Sequence, residues 1–269
     1  MMKFKILITL FLGSFVAIGQ STPETVSSVL EISGVDQPIK QIDAMVEAKI
    51  NEKQGSFQDE ADYNKFAKIM RSGFKAGVAM EYYKEYFVKN ASEDSLKMVL
   101  KMYEDPLFAE MNALEMAAAT SSDEQEMMTF FQGLQSDPPS PERIQDLMAL
   151  NKEVCSSDMT VKIIRNTVIS MAEGANKLMP EEEQLDQEEL KQKMENAFSP
   201  AMVEQLNNQI LALSLYTYKD VSGEKLKAYI DAWKTPVGRY FVGQYLKAMD
   251  YTFSRMGEDL GASLVKDLE

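Results

Sequence analysis

The chain has 269 residues, 45% of them hydrophobic, with 28 Lys+Arg against 42 Asp+Glu and a net charge of −14. That much apolar material argues for packed cores and against a disordered chain, and the acidic excess repels phosphate backbones, which argues against nucleic-acid binding through a basic groove. There is no histidine and one cysteine, Cys155, so the commonest general base, the Ser-His and Cys-His nucleophile pairs, the usual zinc sites and an intramolecular disulfide are all removed.

Residues 1–20 predict a cleaved secretory signal. Lys3 and Lys5 make a positive start, residues 6–18 form an uncharged apolar run, and Ala17-Ile18-Gly19 supplies small residues for a signal peptidase. The expected location is therefore the periplasm or the exterior. The run is shorter than the ~20 residues a membrane helix needs, and no later stretch approaches that length, so no transmembrane segment is expected after signal cleavage. A lipoprotein anchor would need a cysteine at the cleavage site, and Cys155 is far from it.

Thr22-Pro23-Glu24 then predicts a capped helix running to Ser33-Gly34. Ile39, Ile42, Met45, Val46 and Ile50 mark a second helix ending near Gln54-Gly55. Tyr63, Phe66, Ile69 and Met70 mark a third, and the run from Val78 to Phe87 a fourth, with Gly73 and Gly77 interrupting the passage between them.

Two helical hairpins follow, one in each half of the chain. Set side by side, Ser92 meets Ser222, Leu96 meets Leu226, Lys97 meets Lys227 and Pro106 meets Pro236, while Leu100/Ile230, Tyr103/Trp233 and Leu107/Val237 match in kind. The apolar positions of each first helix lie at i, i+4, i+7, which predicts one buried face. Asp105 and Thr235 are N-cap types, each followed by a proline suited to the first helical position. The second helix of the later hairpin carries Val242, Leu246, Met249, Phe253, Met256 and Leu260 at alternating spacings of four and three, a bundle seam.

Between the hairpins, residues 120–124 form a polar break, residues 126–134 a short apolar helix, and Ser136-Asp137-Pro138-Pro139-Ser140-Pro141 a stretch whose prolines forbid continuous helix. Ser140-Pro141-Glu142 caps the next helix, through Ile144, Leu147, Met148 and Leu150. Residues 159–171 predict a buried helix, 174–186 a loop and 188–198 an amphipathic helix. Ser199-Pro200 opens a last helix through Val203, Leu206, Ile210, Leu213 and Tyr216. No alternating run bounded by turn pairs predicts a strand. The expected fold is all-α, with two tandemly duplicated helical bundle units, each ending in a Pro-broken hairpin. Their bounds are a signal at 1–20, a first unit at 21–135, a Pro-rich linker at 136–142 and a second unit at 143–269.

The segment Trp233-Lys234-Thr235-Pro236-Val237-Gly238, after a helix opened by Ser222-Gly223-Glu224-Lys225-Leu226, resembles the signature of the bacterial domain-of-unknown-function 2059 family. The family usually has Phe-Tyr where this chain has Ala232-Trp233, and the earlier copy has Phe108 where Gly238 stands. The resemblance implies an exported helical protein and carries over no catalytic residue.

Ser222-x-x-Lys225 and Lys234-Thr235 echo penicillin-recognising enzymes, but Ser95 stands where Lys225 would in the earlier copy and helix capping accounts for both serines. The acidic residues Glu181, Glu182, Glu183 and Asp186 lack the ordered oxygens and turn glycine of a calcium loop. No catalytic residue, cofactor or metal is expected. The 19 methionines suit helix seams, as in Met98-Met102 and Met127-Met128, or an adaptable apolar groove, with thioether copper binding a further reading. A groove at the junction of the halves, lined by Met116, Met127, Phe130 and Phe131, is the candidate site, for an apolar peptide or lipid chain. The expected function is a non-catalytic binding or structural component of the cell envelope with a protein, peptide or lipid partner. The alternatives are a hydrolytic enzyme using carboxylate, lysine and tyrosine chemistry, and a carrier or chaperone for apolar peptides or lipids.

Overall fold

The computed structural model describes residues 20–57, 59–120, 124–154 and 199–266, with scattered positions between 161 and 192. Residues 1–19, Cys155 and Glu181–Glu183 lie outside the described residues, as do the expected elements at 159–171, 174–186 and 188–198, isolated positions apart. The described residues are helical with no β-strand; a lone antiparallel bridge joins Gln20 to Ser92.

Twelve described helices follow in order: α1 (Pro23–Ser33), α2 (Gln37–Lys40), α3 (Ile42–Lys53), α4 (Glu60–Gly73), α5 (Ala76–Asn90), α6 (Glu93–Tyr103), α7 (Pro106–Thr120), α8 (Glu124–Ser136), α9 (Pro141–Glu153), α10 (Pro200–Thr217), α11 (Gly223–Trp233) and α12 (Pro236–Lys266). Capping starts them where the sequence places it. Thr22, Ser92, Ser140, Ser199 and Ser222 each accept a backbone N–H three residues on. Asp105 accepts from Leu107 N at 2.9 Å and Thr235 from Gly238 N at 3.2 Å, satisfying donors that a helix start otherwise leaves open. The expected second helix is divided at Gln41 into α2 and α3. This split buries Ile39, Ile42, Val46 and Ile50 together and leaves Met45 63% exposed.

Gly34 ends α1 in the left-handed region, φ 65°, with its N–H bonded to Leu30 O. An added Cβ there would lie 2.1 Å from the Met116 sulfur. Gly34→Ala is therefore expected to lose about 1–2 kcal/mol from backbone strain alone, and more because Met116 must move. A thermal melt that leaves the midpoint unchanged would contradict this.

The halves interleave. α1 packs on α5 and α6, and in the second half α9 packs on α10 and α11. The second arm of each hairpin crosses over: α12 lies on α4, α5 and α6, while α7 lies on α10 and α11. Along the first crossing, Tyr245 meets Tyr83, Tyr251 meets Tyr86, and Phe241 meets Tyr103 at 5.9 Å. Tyr240 accepts the Ser92 N–H at 2.8 Å, Tyr82 bonds Asp259, and Leu260 sits where a Cβ on Gly73 would fall. One hydrophobic core runs through both halves.

The methionines divide. Met70, Met111, Met249 and Met256 are buried, whereas Met98 and Met128 stand more than half exposed. On α6 the buried stripe is Leu96, Val99 and Tyr103, and at 100° per residue Met98 lies about 200° from Leu96 on the opposite side. The expectation that Met98 fills a seam is thereby corrected.

The start of the described chain is tied to α6 by Glu93, which accepts from Thr22 N at 2.9 Å and Thr25 Oγ1 at 2.7 Å and pairs with Lys97 at 3.2 Å. The Thr22 N–H, with Thr25 and Lys97 in support, holds the Glu93 carboxyl at about 2, below its ordinary 4.5. A depressed carboxyl stabilises the folded chain above the unfolded value and loses that contribution as pH falls from 4.5 towards 2. Glu93→Gln is expected to flatten the decline of melting temperature in that window. An unchanged slope would show that the tie contributes nothing.

Candidate functional site

Where the halves meet, a cavity of about 390 Å³ opens among α6, α7, α9, α10, α11 and α12. Its walls are mainly apolar and aromatic, with Tyr103, Leu150, Trp233, Phe241 and Tyr245 prominent, and one of its lining residues is Glu115. The rings behind it interlock edge to face. Phe108 stands 5.1 Å from Tyr229 and 5.2 Å from Trp233, and Tyr103 stands 6.4 Å from Trp233. Such edge-to-face packing is a favoured geometry for aromatic pairs.

Glu115 reaches the cavity because α7 keeps a buried stripe of Phe108 and Met111, and Glu115 is four residues beyond Met111 on the same face. Its Oε1 accepts from the Tyr218 hydroxyl at 2.7 Å and the Tyr229 hydroxyl at 2.8 Å. Tyr229 sits on the buried side of α11 between Leu226 and Trp233. Tyr218 ends α10, in a turn clamped by Arg143 of α9, whose guanidinium donates to Tyr218 O and, at 2.9 Å, to Val221 O.

Desolvation pushes the Glu115 carboxyl above its ordinary range, against the opposing pull of the Tyr218 and Tyr229 hydroxyls. Burial likewise drives the Tyr103, Tyr218 and Tyr229 hydroxyls well above the usual tyrosine value, so they stay protonated, and Tyr218 and Tyr229 act as donors to Glu115. Among the described residues no lysine or arginine pairs with Glu115. Trp233 is 5% exposed, and its buried Nε1–H has no hydrogen-bond acceptor. The cavity thus offers an acidic group inside an aromatic wall, an arrangement that can orient a bound molecule.

The four residues expected to line a groove are all half-buried, and none lines this cavity. Met116 lies against Gly34, while Phe130 packs on Phe131 and, at 5.4 Å, on Tyr216 of α10. Sequence reasoning placed α7 and α8 near the junction but passed over Glu115, Tyr218 and Tyr229. A legible signal existed for the first: a lone charge on the apolar stripe of α7. Ser222 and Lys225, read as a catalytic echo, have structural partners, since Ser222 caps α11 and Lys225 Nζ pairs with Glu110 at 2.7 Å. No group of three His, Cys, Asp or Glu that could hold a metal occurs among the described residues.

The fold and the cavity define an all-α protein with an aromatic chamber between interleaved halves. Comparison with protein-family models, with curated proteins and with solved structures finds no match to this chain. Among the described residues no helix is long and apolar enough to cross a membrane.

Proposed function

We propose that this protein is an exported, non-catalytic binding protein of the bacterial cell envelope, and that it takes a small, largely apolar ligand into the cavity between two related halves. The observation that carries the reading is the aromatic chamber of about 390 Å³, a size and lining typical of small-molecule sites. The signal-like residues 1–20 support export. The family-like segment from Trp233 to Gly238 belongs to the same reading.

Duplication of the unit is supported by the matched packing. The pairs α1–α6 and α9–α11, α1–α5 and α9–α10, and α12–α5 and α7–α10 are counterparts under the hairpin alignment. The counterparts Tyr103 and Trp233 touch each other, as residues near a two-fold relation do.

Trp233 is the single tryptophan and lines the chamber, so its fluorescence reports on the site without a label. Titration with small neutral aromatic alcohols is expected to give a saturable change. Ala118→Phe, which places a ring in the chamber from α7, is expected to abolish it while leaving helical circular dichroism intact. A wild-type protein that shows no saturable change overturns the reading.

A further inference from the structure

The chamber wall carries one feature that an apolar ligand leaves unanswered. A carboxyl partly withdrawn from water is costly unless a donor or cation faces it, and the described part of the fold supplies the half-buried Glu115 with two tyrosine hydroxyls on Oε1 and no paired cation. Those hydroxyls fix the carboxyl's orientation before any ligand arrives, which lowers the cost of binding. Around the carboxyl stand the rings of Tyr103, Phe241 and Tyr245, residue types whose faces attract organic cations.

Resting on the ligand-binding reading above, we propose that the chamber selects an aromatic or branched-alkyl amine. Its protonated nitrogen seats on Glu115. An organic anion is disfavoured by the same carboxylate. A bare metal ion is disfavoured because Glu115 is the single carboxylate among the chamber's lining residues and hard cations take several oxygens.

The test compares three probes of similar size at neutral pH, followed by Trp233 fluorescence and by calorimetry: 2-amino-3-phenylpropan-1-ol, 3-phenylpropan-1-ol and 3-phenylpropanoate. The amino alcohol is expected to bind at least about tenfold more tightly than the neutral alcohol, as a charge-assisted hydrogen bond allows, and the carboxylate more weakly than either. Glu115→Gln keeps an oxygen acceptor for Tyr218 and Tyr229 while removing the charge. It is expected to erase the advantage of the amine over the neutral alcohol. Equal binding of amine and alcohol by the wild type overturns the amine inference and leaves the binding reading standing. Absence of binding by all three overturns both. The wild-type comparison decides the matter even if the variant fails to fold.

Discussion

Replacing Trp233 with alanine is expected to lower stability by about 3–5 kcal/mol, the usual cost of truncating a large buried aromatic. For a chain of this size that corresponds to a fall in melting temperature on the order of 10 °C. The indole is 5% exposed and touches the rings of Tyr103, Phe108 and Tyr229. Its removal enlarges a chamber that already exists, so the neighbours have little to collapse onto, which favours the upper end of the range. Because Nε1 makes no hydrogen bond, none is lost, and Trp233→Phe should cost distinctly less than alanine. Urea unfolding of the three proteins checks the order. A loss below about 1 kcal/mol for alanine would mean that the aromatic cluster contributes little to the core.

The second large effect concerns the halves. Expressed separately, residues 20–139 and 140–269 are each expected to lack a cooperative unfolding transition, and mixing them is expected to restore one. The reason is the crossover of α12. Ala79, Tyr83 and Phe87 on α5 are fully buried in the intact chain, and α12 is the most extensive cover that α5 has. Without it the first half exposes a continuous aromatic face, and burying one such side chain is worth roughly 1.5–3 kcal/mol. Near-ultraviolet circular dichroism and thermal melts of the separate and mixed fragments read this directly. A sharp melt of the first fragment alone would show that each half has its own complete core.

The chamber divides in the same way between what a sequence displays and what it conceals. Trp233 and Tyr103 were legible as matched buried aromatics because each lies at i+7 from a leucine on an apolar stripe. Val99 and Tyr229, at i+3 from the same leucines, complete those stripes in the structure. Glu115 was visible as a charge on an apolar face, but its meaning was not, since its two tyrosine partners stand 103 and 114 positions away. Met98 and Met128 misled because methionine suits both seam and surface, and a seam spacing shared with one neighbour does not decide which face is covered.

By itself the sequence determined most of the described helices, the Ser and Thr caps, the two Pro-broken hairpins and the all-α class, but not the division at Gln41. These depend on groups a few residues apart: a hydroxyl and the N–H three positions on, a proline with no N–H to lose, a stripe repeating every 3.6 residues. Tertiary structure alone decided that α12 covers α5, that α7 covers α10 and α11, and that Glu115, Tyr218 and Trp233 meet around one chamber, with Tyr229 bonded to Glu115. The physical reason is that apolar burial is non-directional. A periodic pattern states that a face must be covered, and only the packed chain selects which other face covers it.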